Sequence, residues 1–409
     1  MLFIYNIVVT IASILLKFGA FFSPKIKLFV NGRKNVFETL SKQIKPSDKT
    51  IWFHAASLGE YEQGLPVIEK IKIKYPNHLI VLTFFSPSGF EVRNNNSVAD
   101  VTVYLPLDTK SNAEEFISIV NPEMVFFIKY EFWPYYLTKL KKKNIKTYLI
   151  SGVFRKNQLF FKWYGGFYRK ALQTFDHFFV QNESSKKLIQ SIGFHNVTIS
   201  GDTRFDRVST ILEQNNSLDF IEAFKNKQTT IVIGSSWPKD EHLIVNYINQ
   251  SPKNVKFIIA PHNINTVQIQ ELKKSITKKT ILFSEKENQN LGDFEVFVID
   301  NIGILTKIYS YADIAYVGGG FGNPGVHNIL EPATFGIPIV IGPNYSHFAE
   351  GTALVNLGGC LFVSSQAELN EAFDNLVQNV DERFEKGHIC STFVQMNKGA
   401  TDIVLNHLS

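Results

Sequence analysis

Short apolar runs separated by amphipathic stretches recur along this chain from residue 50 onward, and they constrain its fold more than any other feature. The first set is Ile51–Ala55, Leu79–Phe84, Val101–Tyr104, Met124–Ile128, Thr147–Ser151, His177–Val180 and Val197–Ser200. Most of the spacers read as amphipathic helix, as in Gly64–Tyr75, Lys110–Val120 and Tyr136–Lys143. Buried strands alternating with helices imply a parallel, doubly wound sheet. A polar stretch, Ser209–Thr229, interrupts the pattern, and the alternation then restarts. The second set is Thr230–Ile233, Lys256–Ala260, Ile281–Phe283, Val296–Ile299, Ile314–Val317, Ile337–Ile341 and Cys360–Val363.

A length of 409 residues fits two domains of ordinary size. The expectation is therefore α/β with two Rossmann-like domains and a cleft between them. One spans 25–208 and the other 230–409, with 209–229 as the crossing and the last helix free to pack back on the N-terminal domain. A hydrophobic content of 44% and a charged content of 19% describe a globular chain. The net charge of +5 does not resemble a nucleic-acid binder but suits an anionic membrane or a phosphorylated substrate. Cys360 and Cys390 can form one bridge at most, and no Cys/His cluster suggests a metal. Residues 1–24 stand apart. They are apolar to Phe22, broken mainly by Asn6 and Lys17, and Lys25, Lys27, Arg33 and Lys34 follow. This pattern implies a membrane-associating helix, spanning or interfacial, with its charged flank on the cytoplasmic side.

Ligands of open α/β sheets bind at the carboxyl ends of the strands, so the loops that follow strands are the places to search. Ile51–Ala55 runs into Ala56-Ser57-Leu58-Gly59-Glu60. Gly59 permits a sharp turn, and Glu60 falls near a helix start that favours a charged carboxylate. Such a group is either a general base or an ordinary helix-start acid. Ser86-Pro87-Ser88-Gly89 offers hydroxyls and amides to a polar ligand, or makes an ordinary turn. Glu131 sits just past a strand end, with Trp133 either in the core or walling a sugar. Arg204, in Gly201-Asp202-Thr203-Arg204-Phe205-Asp206, either meets negative charge on a leaving phosphate or pairs with Asp202 or Asp206.

In the second half, Gly234-Ser235-Ser236-Trp237 reads as a small phosphate cradle. Pro261-His262 and Ile302-Gly303-Ile304 follow the next strands. The fullest signal lies between Tyr311 and Pro343: strand Ile314–Val317, loop Gly318–Gly325, helix Asn328–Phe335, strand Pro338–Ile341. The loop's glycines, Gly319 and Gly320 among them, let backbone approach a ligand. A helix opening after such a loop points N–H groups at phosphate. Glu331, one turn in, can accept hydrogen bonds from a sugar diol. Together these imply a nucleotide-linked donor. No Walker A, HExxH, GxSxG or kinase set is present.

These segments resemble the bacterial 3-deoxy-D-manno-octulosonic acid (Kdo) transferases. The matching residues are HAASLGE at 54–60, YLPLD at 104–108, EFWP at 131–134, GDTRFD at 201–206, GSS at 234–236, and YADIAYVGGG with GVHNILEPATFGIPIVIGP. The resemblance covers nearly the whole chain. It implies the GT-B arrangement, with CMP-Kdo held mainly by the C-terminal domain and a lipid A precursor (lipid IVA) as acceptor at the cytoplasmic face of the inner membrane. It implies Glu60 as catalytic base, with Glu131 and Arg204 stabilising the transition state. Ser57, Gly59, Ser86, Ser88 and Gly89 fall on the acceptor side. Ser235, Ser236, Pro261, His262, Ile302, Gly303, Ile304, Gly319, Gly320, Asn328, Ile329, Leu330 and Glu331 fall on the donor side. It implies no cofactor and no metal. His262, Trp237, Lys129 and Tyr130 depart from the family's pattern, at positions where arginine, histidine, glutamate and threonine are usual. A sugar-nucleotide epimerase of the same architecture and a non-catalytic glycan-binding protein are the alternatives. The apolar N-terminus weighs against the first, and the presence of Glu60 and Glu331 against the second.

Overall fold

The computed structural model describes residues 2–95 and 97–408. It divides into two compact units, Met1–Arg207 with Lys398–Ser409, and Val208–Asn397. The first unit carries strands β1 (Lys49–Ala55), β2 (His78–Phe84), β3 (Val101–Tyr104), β4 (Pro122–Ile128), β5 (Lys146–Gly152), β6 (His177–Val180) and β7 (Val197–Ile199). They form one parallel sheet in the order β3-β2-β1-β4-β5-β6-β7. Neighbouring residues of a strand face opposite sides. On β1, Trp52 packs with Phe116, Phe127 and Tyr136, while Phe53 stacks on Phe126 at 4.7 Å on the other face.

Helices α1 (Leu2–Gly19), α2 (Pro24–Asn31) and α3 (Val36–Gln43) precede this sheet. Among the helices that accompany it are α4 (Leu58–Lys74), α5 (Pro134–Lys142) and α6 (Thr203–Ser209). Much of α1's apolar surface is exposed, including Phe3 (75%), Ile14 and Phe18, so this helix is not a core element. No helix among the described residues is long and apolar enough to cross a membrane. Tyr5 tethers α1: its hydroxyl donates to Asp108 Oδ2 at 2.6 Å, and its ring lies 6.0 Å from Tyr135 and 5.8 Å from Phe167.

The second unit carries β8 (Thr229–Ser236), β9 (Val255–Pro261), β10 (Thr280–Leu282), β11 (Val296–Val298), β12 (Ile314–Val317), β13 (Ile339–Ile341) and β14 (Cys360–Phe362). The sheet is again parallel, in the order β10-β11-β9-β8-β12-β13-β14. Helix α7 (Pro238–Gln250) leaves the end of β8, and the short helix α8 (Leu330–Thr334) leads into β13. The polar stretch 209–229 belongs to this unit and contains the helix Asp219–Lys225, whose Ile221 and Phe224 are fully buried beside Ile258 and Phe297. Cys360 and Cys390 are free and buried.

The closing helix, Ala400–His407, belongs to the first unit and packs on α4. Its start is fixed by one carboxylate. Asp206 accepts from the Gly399 and Thr401 amides at 2.5 and 2.7 Å and from the Thr401 hydroxyl at 2.6 Å. Helix-start amides lack partners within the helix, so such a cap contributes about 1–2 kcal/mol. Asp206→Ala should therefore destabilise the first unit by about that amount and release the last residues to proteolysis well before global unfolding. Limited proteolysis with mass mapping, beside a urea titration, checks this. An unchanged cleavage rate after Gly399 would show that the cap is not what holds the helix.

Candidate active site

Strand order decides where chemistry can sit. In the first sheet the chain runs outward from β1 through β2 and β3, then returns to the other side of β1 and continues from β4 to β7. The order reverses between β1 and β4, and in open α/β sheets that is where a crevice forms at the carboxyl edge. Glu60 follows β1 and Glu131 follows β4, so both stand at this reversal. The sharp turn is made at Ala56–Ser57, not at Gly59. Ser57 is extended (φ −145°, ψ −179°) and α4 starts at Leu58, which puts Gly59 inside the helix and Glu60 in its first turn. The Ser57 hydroxyl donates to Glu60 Oε2.

Lys129 leaves β4 in the left-handed region, with φ +73°. A residue with a Cβ pays on the order of 1 kcal/mol or more for that conformation. The turn is held by the Lys129 amide, which donates to the Ile150 carbonyl at 2.9 Å. It brings the lysine ammonium to 3.8 Å from Glu60 Oε1. In sequence Lys129 stood only as a departure from the family's pattern, and the structure makes it Glu60's ion-pair partner.

Behind the carboxylates lies a closed set of hydrogen bonds. Thr83 Oγ1 accepts from Trp52 Nε1 and from His54 Nδ1, both at 2.8 Å, and donates to the Phe53 carbonyl at 3.3 Å. Trp133 Nε1 donates to His54 Nε2 at 3.0 Å. With Nε2 accepting, the ring proton is assigned to Nδ1, and every polar atom of the set finds a partner. His54 is fully buried, and Glu131 Oε2 lies 3.6 Å from its Nε2. Trp133 is thus neither plain core nor free wall, because its indole is pinned beside Glu131. The role of His54 was missed in sequence, where it was only the first letter of a motif. Its signal was a polar side chain on an otherwise apolar central strand.

Ser86 and Ser88 face each other through their hydroxyls at 2.7 Å, and the Ser86 amide donates to the Ala56 carbonyl at 2.8 Å. The loop after β2 is therefore laced to the loop that carries Glu60. Gly89 is buried beneath Phe84, where a Cβ would come within 2.2 Å of the ring. Arg204 is ion-paired with Asp202, through Nη2 at 2.7 Å and Nε at 2.9 Å to the same oxygen. Asp206 is committed to the closing helix. The Thr203 hydroxyl donates to the Gln63 carbonyl, which sets the start of α6 against the second turn of α4.

In the second sheet the order reverses between β8 and β12. Asp240, fully buried at the start of α7, joins the two loops there. Its Oδ1 accepts from the Tyr316 hydroxyl, and its Oδ2 accepts from the Trp237 and Gly319 amides, each at 2.9 Å. Gly319 has φ +94°, and a Cβ on Gly318 would stand 2.4 Å from the Ser235 carbonyl oxygen. The glycines are used first for the loop's approach to its own chain. The Gly318 amide donates to Gly234, His327 to Gly318, Val326 to Asn344, and Asn344 to Gly320, all at 2.9–3.1 Å.

The expected helix 328–335 shortens to α8, five residues from Leu330. Glu331 is accordingly in its first turn, not one turn in. Asn328 Oδ1 accepts from the Leu330 amide at 3.2 Å, so the chain itself takes an amide expected to face phosphate. Ile329 and Leu330 are fully buried, and their side chains offer nothing to a ligand. Glu331 accepts from Asn328 Nδ2 at 2.9 Å and from the Thr306 hydroxyl at 2.8 Å, which ties α8 to the short helix Leu305–Ile308 that follows the turn Ile302–Ile304. In that turn Gly303 has φ +97° and Ile302 is 80% exposed. Ser236 donates to Glu241 at 2.8 Å, and the His262 amide donates to the Ser236 carbonyl.

The rings of Trp237 and His262 stack at 4.6 Å, and Trp237 Nε1 donates to His327 Nε2 at 2.9 Å. The two imidazoles lie 4.4 Å apart. Burial holds both below the usual histidine range, with His262 as an added cause for His327. No group of three His, Cys, Asp or Glu that could hold a metal occurs among the described residues.

The lowered imidazole pKa values carry a sign. The unfolded chain takes up these protons near the ordinary value of about 6.5, and the folded unit resists them until lower pH. Their contribution is therefore complete above about pH 6.5 and is lost as pH falls below it. His327→Gln keeps an acceptor for Trp237 and removes one titrating ring. Its urea midpoint should fall less than that of the wild type between pH 7.5 and pH 5.5. Equal falls would show that this pair does not set the acid sensitivity of the unit.

Residues 32–207 match the family model described as 3-deoxy-D-manno-octulosonic-acid transferase (kdotransferase). The 3-deoxy-D-manno-octulosonic acid transferase of Chlamydia trachomatis serovar D is 28% identical over 397 residues, covering 90% of each chain. That of Chlamydophila psittaci is 27% identical over 356 residues, covering 83% of this chain and 82% of the other. Among solved structures, the UDP-GlcNAc 2-epimerase of Neisseria meningitidis superposes with a TM-score of 0.61 at 16% identity over 88% of this chain and 99% of its own. MurG of Acinetobacter baumannii gives 0.53 at 13% over 88% and 98%. At such identities these two speak for the fold alone, which is GT-B. Similarity along most of the chain carries more: the protein matches the 3-deoxy-D-manno-octulosonic-acid transferase family model over 32–207 and is similar over 83–90% of its length to transferases of that name.

Proposed function

We propose that the protein transfers Kdo from CMP-Kdo to the lipid A precursor lipid IVA, with inversion and release of CMP, in lipopolysaccharide biosynthesis. The observation that carries this reading is the placing of Glu60. It is a carboxylate in the first turn of a helix at the reversal of strand order, held by Ser57 and faced by Lys129. The activity of the relatives supplies the sugar, and the exposed apolar surface of α1 suits a lipid acceptor.

In this reading Glu60 takes the proton of an acceptor hydroxyl as that oxygen attacks the anomeric carbon. The bond from that carbon to the CMP phosphate breaks, and the electron pair leaves with the phosphate. Arg204 and Glu131 stabilise the charge that develops. The turn Ile302–Ile304, Glu331 and the Trp237–His262 stack hold the nucleotide side. No metal takes part. The exposed apolar surface of α1 rests on the cytoplasmic face of the inner membrane, with Lys25, Lys27 and Lys34 towards anionic headgroups.

Purified protein given CMP-Kdo and the tetraacylated disaccharide should release CMP and add Kdo to the lipid, and the product mass gives the number of sugars. Loss of general-base action is worth about 10²–10⁴ in rate, so Glu60→Gln should lower kcat by that factor. Normal turnover by a folded Glu60→Gln protein would end the assignment. Conversion of a sugar nucleotide with no lipid present would instead identify an epimerase.

A further inference from the structure

Beneath α1 runs a groove of about 570 Å³ that none of the catalytic groups uses. Its volume lies within the roughly 300–1,000 Å³ typical of pockets that bury a whole small ligand. Val9, Phe29, Val30, Phe37 and Leu107 wall it, and Lys17 and Lys34 are exposed at its rim. α1 is held to the unit near its start, ahead of the groove. Tyr5 is fixed on Asp108, and Asn6 accepts from the Tyr135 hydroxyl at 2.5 Å. At the groove, α1 presents the short side chains of Thr10 and Ser13, which leave the space unfilled.

Arg33 connects this groove to the site. It is among the groove's lining residues, and its guanidinium lies 3.6 Å from the centroid of the Phe29 ring. It donates to the Leu105 carbonyl at 2.9 Å and to the Phe85 carbonyl at 2.5 Å. Phe85 precedes Ser86, and its ring lies 4.6 Å from that of Trp133, which stands beside Glu131. Apolar walls, a cationic rim and continuity with the loops after β2 and β4 specify one occupant. It is an apolar tail attached to an anionic sugar whose reacting end lies at those loops.

We propose that the groove between α1 and the segment α2–α3 seats one acyl chain of the glycolipid acceptor, with Lys17 and Lys34 meeting its phosphate. The inference rests on the acceptor being a lipid-linked, phosphorylated sugar. It adds that α1 reads the lipid tail as well as resting on a membrane. An acyl chain in the groove is removed from water along its length, and the gain grows with each methylene buried.

The test compares two acceptors, the tetraacylated disaccharide and the same disaccharide stripped of its acyl chains. Ser13→Trp should fill the groove. The ratio of kcat/KM for acylated over deacylated acceptor should then fall at least about tenfold, which corresponds to roughly two methylenes of lost burial. An unchanged ratio in a folded Ser13→Trp protein overturns the groove and leaves the transferase reading intact. Absence of sugar transfer by the wild type to either acceptor overturns the transferase reading itself. A second measurement does not depend on the variant folding. A disaccharide bearing a diazirine on one acyl chain, photolysed on the wild-type protein without donor, should label residues 9–17 or 29–37. Labelling elsewhere contradicts the proposal. Labelling abolished by excess phosphatidylglycerol vesicles assigns the groove to bulk phospholipid and contradicts it equally.

Discussion

Everything at the first unit's site depends on β1 having parallel neighbours on both sides. The connection from β1 to β2 through α4 and that from β4 to β5 through α5 run in opposite directions across the sheet, so under the right-handed rule for parallel strands their helices end on opposite faces. The packing agrees. Tyr61, Leu65 and Val67 of α4 lie in the cluster with Phe53 and Phe126, while Tyr136, Leu137 and Leu140 of α5 lie with Trp52 and Phe127. Two loops that leave for opposite faces part at their strand ends. Glu60 is carried in on one and Glu131 on the other, although they stand 71 positions apart in the chain. No local propensity could bring them together, and a change of strand order would separate them.

The two units solve the same problem with different chemistry. A loop that must stay open to a ligand cannot be held by an apolar plug, so it is held from below by polar groups that the core has to accommodate. In the first unit the support is neutral and aromatic, with Thr83 and His54 positioning Trp133. In the second it is a buried carboxylate, Asp240, accepting three hydrogen bonds from two loops. Buried polar groups are costly unless fully partnered, and full partnering is what fixes a single arrangement. Asp108 repeats the pattern on a smaller scale. It accepts from the Tyr135 and Tyr136 amides at the start of α5 and from Tyr5 of α1, and burial raises its carboxyl to about 6.

The strands were legible because a parallel sheet covered on both faces needs continuous apolar runs, and those runs are visible without knowing the fold. Ile314–Val317 and His177–Val180 coincide with β12 and β6 to the residue. Helix starts were less legible, because side-chain caps decide them. Asn328 ends the loop with a turn in which its Oδ1 accepts from the amide two residues ahead, and that turn, not apolar spacing, delays α8 to Leu330. Glu60 could be placed from sequence since it follows its strand closely. Its partner could not, because Lys129 reaches it through a left-handed turn in a different loop. Arg204 was open between phosphate and carboxylate on spacing alone, and the geometry shows the pairing with Asp202.

That pairing bears on how the proposed reaction would manage charge. Lys129 is matched by Glu60 and Arg204 by Asp202, so neither cation contributes an uncompensated positive charge to the resting site. In the proposed reaction such a paired arginine would offer direction, since its fork is held in place by Asp202 and needs little reorganisation as charge develops. In the second unit, burial favours the neutral form of His262 and His327, and stacking on Trp237 fixes the surface these rings make. Within the first unit, any help the proposed reaction draws from Arg204 is therefore help from a matched, preorganised ion pair and not from an unbalanced charge.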